Sequence, residues 1–496
     1  MERRELLKYG AIVGTGVGGL AVVGAIQNNA ETDSPRAQSD SELPARGGDR
    51  EGFPIRGEPT GETPTAGSND ADSGEPAPRF AGEFSTVVDA VAAGADPEGE
   101  EPINDVLQEQ AGDDTLLSFP AGNYRVRPTR LTGYSRFGIA AAFDSRPTFF
   151  GDPGSFSGND RFLVFEDVSE FLLYGVDFDF CRGGTGGKLT LKATGDLTVS
   201  NVSVAASCSS DLQVLGISVR DEESVGLVER FRAVNQGGNQ GLTGVYVGSP
   251  HAGELTFRNC ELWGFTDNGL YASAPGLADG ENGTVHVDGG SYGNSNVSNV
   301  RLGTEGSSAR GVTVRVDESP GYDPANVRGI RLRHQHSQLI ENCEIVYTED
   351  ASKAFGAIVF HPNNAGATVR DTDITIDRDD VAALWALQNQ TDRVSSLLFE
   401  NVSIEGSASG GYAAEFLDRG GVVFRNCTVR QTGEDRNGIR FVNQDGCRIV
   451  DSHIDVTGEP VVVNNTTAQI ENTTVATRDG EKRIQELTVD DQTVIE

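Results

Sequence analysis

The chain has 496 residues, 74 of them acidic against 40 basic, for a formal net charge of −34. That balance excludes a nucleic-acid binder held by phosphate contacts, which needs a basic face. At 37% hydrophobic the chain can bury a core, and with lysine only at Lys8, Lys188, Lys192, Lys353 and Lys482 it has the carboxylate-rich, lysine-poor surface of a protein that stays soluble in strong brine.

The first element in chain order is a targeting segment over residues 1–27: Arg3-Arg4-Glu5-Leu6-Leu7-Lys8, followed by an apolar, Gly-rich run from Ala11 to Ile26. It resembles a twin-arginine export signal, so the expected location is extracellular or at the cell surface, with a membrane tether if the signal is kept. Residues 28–79 turn to Pro, Gly, Ser, Thr, Asp and Glu and cannot bury enough apolar surface to order themselves, so they read as a spacer. The folded part is expected over 80–496.

That part is one repeat. A short strand with two apolar positions flanking a variable one recurs from Leu163-Val-Phe165 through Leu189-Thr-Leu191, Ile217-Ser-Val219, Val245-Tyr-Val247 and eight further copies to Val461-Val-Val463. The mean spacing is about 27 residues, and the period-two alternation marks strands with one buried face. Between the copies lies a second unit, apolar-x-Asn-x-x-apolar, as in Phe257-Arg-Asn259-Cys-Glu-Leu262 and Phe399-Glu-Asn401-Val-Ser-Ile404, with Asp371 and Asp451 standing in for Asn in two rungs. Asn tolerates a left-handed backbone and its amide both donates and accepts, so the pattern predicts strand, bend, strand with an asparagine ladder inside the bend. The sequons at Asn201, Asn401, Asn426 and Asn472 fall on that ladder and are expected to be inaccessible. The fold class is therefore all-β: a single parallel β-helix of about 12 rungs. Cys260, Cys343 and Cys427 follow ladder residues three rungs apart, too far for disulfides, and are expected to be small buried hydrophobes.

The start of the folded part narrows this further. Phe84 to Asp96, a short helix from about Pro102 to Gln110, and then Phe119-Pro-Ala-Gly-Asn-Tyr124 resemble the opening of the pectate lyase superfamily of right-handed parallel β-helices. The resemblance runs from Phe84 to about Val475 and implies an N-terminal capping helix. It does not imply one reaction, because members include polysaccharide lyases, hydrolases and adhesins. The Asn-Thr-Asp, Asp-Asp, Gly-His-Gly and Arg-Ile-Lys set of galacturonase relatives is not found. Nor is the calcium-binding aspartate cluster of pectate lyase itself, so no cofactor is expected and calcium stays open without a motif to hold it.

Outward residues of the first strand should stack into a column from rung to rung. Its central position reads Val164, Thr190, Ser218, Tyr246, Tyr271, Arg301, Arg331, Val359, Trp385, Glu415, Arg440 and Val462, and the next outward position includes Arg333 and His361. Tyr246, Tyr271 and Trp385 offer flat faces to pyranose rings, while Arg301 and Arg440 offer forks for carboxylate or sulfate. Arg331, Arg333, His361 and Glu415 are the catalytic candidates. A lyase acting on a uronate polymer needs a base beside the carboxylate and a cation to hold the charge that develops. His334 and His336 lie in the loop leaving the Arg331 strand, but their spacing is not diagnostic of a metal, and no metal site is expected. Against this stands a plainer reading, in which Arg440 pairs with Glu415 one rung away and the column is a solvated surface. Two functions follow: an exported β-helix protein that binds an acidic extracellular polysaccharide, with cleavage by a lyase or a hydrolase route left open, or a noncatalytic cell-surface or adhesion module.

Overall fold

The computed structural model describes residues 80, 82–156, 161–182, 188–206, 213–237, 241–318, 326–334, 337–391, 396–477, 487–489 and 494–495. The signal 1–27 and the spacer 28–79 lie outside them. The described residues form a parallel β-solenoid of about 12 turns with one short helix. Each full turn contributes to three sheets, and every strand pairing is parallel, as in Val245↔Leu270 on the first sheet, Phe257↔Val287 on the second and Leu262↔Tyr292 on the third.

The first sheet carries the predicted column. Its inward residues run in register as Leu163, Leu189, Leu215, Val245, Leu270, Val300, Ile330, Ile358, Leu384, Ala414, Ile439 and Val461. The third copy differs from the expectation, because Gly216, and not Ser218, aligns with Thr190 and Tyr246. Leu215, Ile217 and Val219 are all buried, so the alternation continues past the rung and permits a slip of two residues that keeps each side chain on its face. One further strand, Thr129–Thr132, precedes the first predicted copy and pairs with Leu163 to Glu166; only Leu131 gives it an apolar signal.

The bend between the second and third sheets is a column of left-handed residues. Its φ values are +57° at Asn201, +52° at Asn259, +53° at Asn342, +50° at Asp371, +56° at Asn401, +51° at Asn426, +52° at Asp451 and +46° at Asn472, with glycine at Gly175, Gly289 and Gly311. Only Arg230, at +49°, has neither an Asx side chain nor glycine's freedom. Asn401 Nδ2 donates to Asp371 Oδ1 at 2.8 Å, and Asn426 Nδ2 donates to Asn401 Oδ1 at 2.8 Å. The expectation of an enclosed ladder is corrected here: Asn401 and Asn426 sit at the exposed outer edge, and the following position points into the coil. That inward slot holds Val202, Cys260, Cys343, Val402 and Cys427, all buried, with each of the three thiols free. Asn401→Ala removes two amide bonds and the polar side chain that lets Asn tolerate the left-handed region, so it should cost about 2 kcal/mol in urea unfolding, and Asn401→Gly distinctly less.

The opening residues form the expected cap. Helix Asn104–Gln110 buries Val106 and Leu107, and Ile103 N donates to Arg125 O at 2.9 Å, which ties the helix start to the strand edge it covers. In the Phe-Pro-x-Gly-x-Tyr segment, the fully buried Tyr124 ring packs edge-on against Phe119 with centroids 5.0 Å apart, and its hydroxyl donates to Pro120 O at 2.9 Å. Gly122 leaves room for Pro97, whose Cβ lies 2.7 Å from where a side chain would begin.

Candidate functional site

The site is built on the outward side of the first sheet, where Tyr246, Tyr271, Arg301 and Arg331 follow one another in register on successive strands. The next strand continues the row with Val359. His361 N donates to Leu332 O at 3.0 Å, which sets His361 one turn beyond Arg333. Tyr246 and Tyr271 have ring centroids 5.2 Å apart, and the Arg301 guanidinium lies 4.0 Å over the Tyr271 ring. Arg301 Nη2 donates to Tyr271 Oη at 3.1 Å and Nε to Ser273 Oγ at 2.8 Å. Burial pushes the Tyr246 phenol up to about 12, so at neutral pH it is a proton donor and not a base.

Two histidines meet around a residue that the column does not contain. His334, with φ at +66°, comes back over the row, and its Nε2 donates to Ser273 O at 2.9 Å. Asn363 joins it to His361: its Nδ2 lies 3.4 Å from His334 Nδ1, and its Oδ1 is bonded to His361 Nδ1. Two groups of Asn363 approach His361 Nδ1, the side-chain Oδ1 and, at 3.3 Å, the backbone N; a carboxamide oxygen only accepts, so the closer contact assigns the proton to Nδ1 and the lone pair to Nε2. His334 correspondingly keeps its proton on Nε2 and accepts at Nδ1. Gly276 and Gly303 form its seat, since a Cβ on either would fall 2.8 Å or 2.6 Å from His334 Cδ2. His336 lies outside the described residues.

The turn that carries Asn363 is clamped from below. Arg419 is fully buried and donates to His361 O at 2.6 Å, to Leu387 O at 2.5 Å and to Asn364 O. Asn364 Nδ2 in turn donates to Gln338 Oε1 at 2.8 Å. Burial pushes the Arg419 guanidinium down to about 10, which still leaves it charged at neutral pH. Arg436 repeats the device one turn on, donating to Val381 O at 2.6 Å, Gly410 O at 2.7 Å and Gln431 Oε1 at 2.9 Å.

The column departs from an open surface. Arg301 is 2% exposed, Arg331 1% and Trp385 3%. Trp385 is covered by Phe355, stacked at 4.6 Å, with the Arg328 guanidinium 5.4 Å above that second ring. The loop leading into the Gly356–Phe360 strand brings Phe355 over the indole, so Trp385 presents no free face to a sugar. Arg440 is committed to Glu415 at 2.7 Å and lies 5.0 Å over the Tyr412 ring, which is the pairing that the plainer reading of the sequence anticipated. The structure therefore gathers Tyr246, Tyr271, Arg301, Arg331, Arg333 and His361 with His334, and leaves Trp385, Glu415 and Arg440 as a separate packed set. Sequence reasoning missed Asn363 and Arg419. The run His361-Pro-Asn-Asn364 was the available signal for Asn363; nothing local marks Arg419. Among the described residues no group of three metal-ligating side chains converges.

No protein-family profile matches the chain, and no curated protein does. Among solved structures it is similar to the catalytic unit of a thermostable GH87 α-1,3-glucanase from Streptomyces thermodiastaticus, at 12% identity and a TM-score of 0.41, covering 86% of this chain and 70% of that one. It is also similar to PfbA, a surface adhesin of Streptococcus pneumoniae, at 12% identity and a TM-score of 0.40, covering 78% and 91% of the two chains. A third is the A-module of a mannuronan C-5 epimerase from Azotobacter vinelandii, at 10% identity and a TM-score of 0.31, covering 77% and 99%. Likeness at these levels does not bear on the chemistry of the site.

Proposed function

We propose that this is an exported β-helix protein of the pectate lyase superfamily, working in brine, that binds an acidic extracellular polysaccharide along the row from Tyr246 to His361 and cleaves it by β-elimination. The observation that carries the reading is the His334–Asn363–His361 relay beside Arg331 and Arg333. A uronate carboxylate held by those guanidiniums has its adjacent C5–H made acidic, because the charge left by its removal spreads into a group already paired with cations. His361 Nε2 takes that proton. The C5 electron pair forms the C4=C5 bond, the C4–O bond breaks, and the leaving oxygen is protonated from water. Five strands separate Tyr246 from His361 inclusively, or about 19 Å of row at the usual strand spacing, which is room for several sugar units. In strong brine the screening length is about 3 Å, so the arginines act by contact and not by steering.

A second reading, a noncatalytic recognition module, is favoured by the burial of Arg301 and Arg331, which leaves Tyr246 and His361 as the half-open ends of the row. Incubation with polygalacturonate and alginate in concentrated KCl separates the two. Ultraviolet absorbance of a 4,5-unsaturated product, lost in His361→Ala, supports cleavage. Retention on the polymer without that signal, weakened in Arg333→Ala, supports the module. If neither polymer is bound or cut, both readings fail.

A further inference from the structure

The chain has two tryptophans, Trp263 and Trp385. Trp385, the one on the predicted column, is covered, whereas Trp263 ends the strand Glu261–Trp263 on the third sheet and is only half-buried. Its neighbour Leu262 is fully buried, so alternation turns the indole outward. The next two strands place Gly293 and then Arg315 in register with it. A Cβ at Gly293 would lie 2.3 Å from Cζ3, 2.5 Å from Cε3 and 2.6 Å from Cη2 of Trp263. Three contiguous ring carbons at nearly equal distance put that point over the face of the ring, since an approach along the edge would leave the outer two much farther than the central one. The indole thus lies flat against the backbone of Gly293, with its other face turned away from the sheet. Glycine is the only residue that gives it this seat.

A polar pair stands on the strand next to Gly293. Arg315 Nε pairs with Asp317 Oδ2 at 2.6 Å, with the two side chains 46% and 34% exposed. Asn294 Nδ2 donates to Asp317 Oδ1 at 2.8 Å, and Asn294 Oδ1 accepts from Asp317 N at 3.0 Å, which fixes the carboxylate on the strand end. A flat aromatic face on the same sheet as an oriented guanidinium and carboxylate combines apolar area for the C–H face of a pyranose with a donor and an acceptor for vicinal hydroxyls.

We propose that Trp263, seated on Gly293 with Arg315 and Asp317 at the strand beyond, is a saccharide-binding platform on the third sheet, separate from the Tyr246–His361 row. It shares with the proposed function only the ligand class, a polysaccharide, and reads the sugar ring and its hydroxyls, so a neutral polymer fits as well as an acidic one. The chain's two tryptophans make the test direct. With the full chain in concentrated KCl, dextran, polygalacturonate and alginate are titrated while indole emission and retention in affinity gels are followed. The expected result is an emission change with at least one polymer that disappears in Trp263→Ala, together with about fivefold to tenfold weaker retention. Gly293→Val, which lifts the ring while keeping it, should weaken retention similarly with circular dichroism unchanged. The platform is overturned if Trp263→Ala binds every polymer as the parent does while His361→Ala or Arg333→Ala alters binding, an outcome that leaves the proposed function standing. The reverse pattern sustains the platform and removes the row as the binding face. No response to any polymer overturns both.

Discussion

Arg419→Met is expected to lower the free energy of unfolding by about 3–5 kcal/mol, the low end of what three buried carbonyls left without a donor would cost. Methionine fills most of the stem's volume, so little of the loss comes from a cavity. The loss comes from His361 O, Leu387 O and Asn364 O, which the guanidinium bonds in a fully buried setting. An orphaned buried carbonyl costs about 1–3 kcal/mol, and partial relaxation of the loop keeps the total below the simple sum. The measurement is the urea midpoint at constant slope in high salt. Arg419→Lys should fall between parent and Arg419→Met, because one ammonium cannot reach three carbonyls arranged for a planar fork. An unchanged midpoint for Arg419→Met would show that the clamp contributes nothing.

The second large effect belongs to the proposed chemistry. His361→Ala should reduce the rate of unsaturated-product formation by about 10²–10⁴, the usual contribution of a positioned general base, with KM little changed. Asn363→Ala should reduce it less and in a different way. Without Asn363 Oδ1 to hold the Nδ1 proton, His361 loses its fixed tautomer and the preference for a lone pair at Nε2. The acid limb of the kcat profile should therefore move in Asn363→Ala but stay in place in a variant that only loosens packing, such as Val359→Ala. Equal profiles in all three proteins would remove Asn363 from the relay.

The coil was legible because each level of the sequence repeats the same statement. Apolar pairs at period two mark the first strand of each turn, and Asn or Asp marks the residue that must take a positive φ. Arg230 shows the limit of that code: a position whose backbone is dictated by its neighbours above and below accepts a residue that would not choose it. The third rung shows another, since three buried residues in alternation do not say which two belong to the register. Apart from the third rung, where Gly216 stands in place of Ser218, the column of outward residues was read correctly as a list but not as an environment. Whether Trp385 faces water depends on Phe355, thirty residues earlier and contributed by a loop with no periodic signal. The reach of His334 back to Ser273 likewise depends on a single left-handed residue and two glycine seats. Period and register carry strands; the loops that roof them are set by close approaches that no periodicity records.

Four contacts in this region share a geometric property. His334 reaches Ser273, Arg419 reaches His361 and Asn364, and Arg436 reaches Val381, with separations of 61, 58, 55 and 55 residues, each passing over the turn in between. A solenoid whose repeats touch only adjacent repeats is a one-dimensional chain of neighbours and opens one rung at a time from its ends. Next-nearest ties change that behaviour, because the turns of Val300, Leu384 and Ala414, each bridged by one, cannot melt without disturbing a bond between the turns on either side. The same device recurs nearer the N-terminus, where Arg146 reaches Asn201 and Arg220 reaches Asp167, so the turns beneath these ties open less independently than those that touch only their neighbours, and fraying from either end should slow where a tie begins.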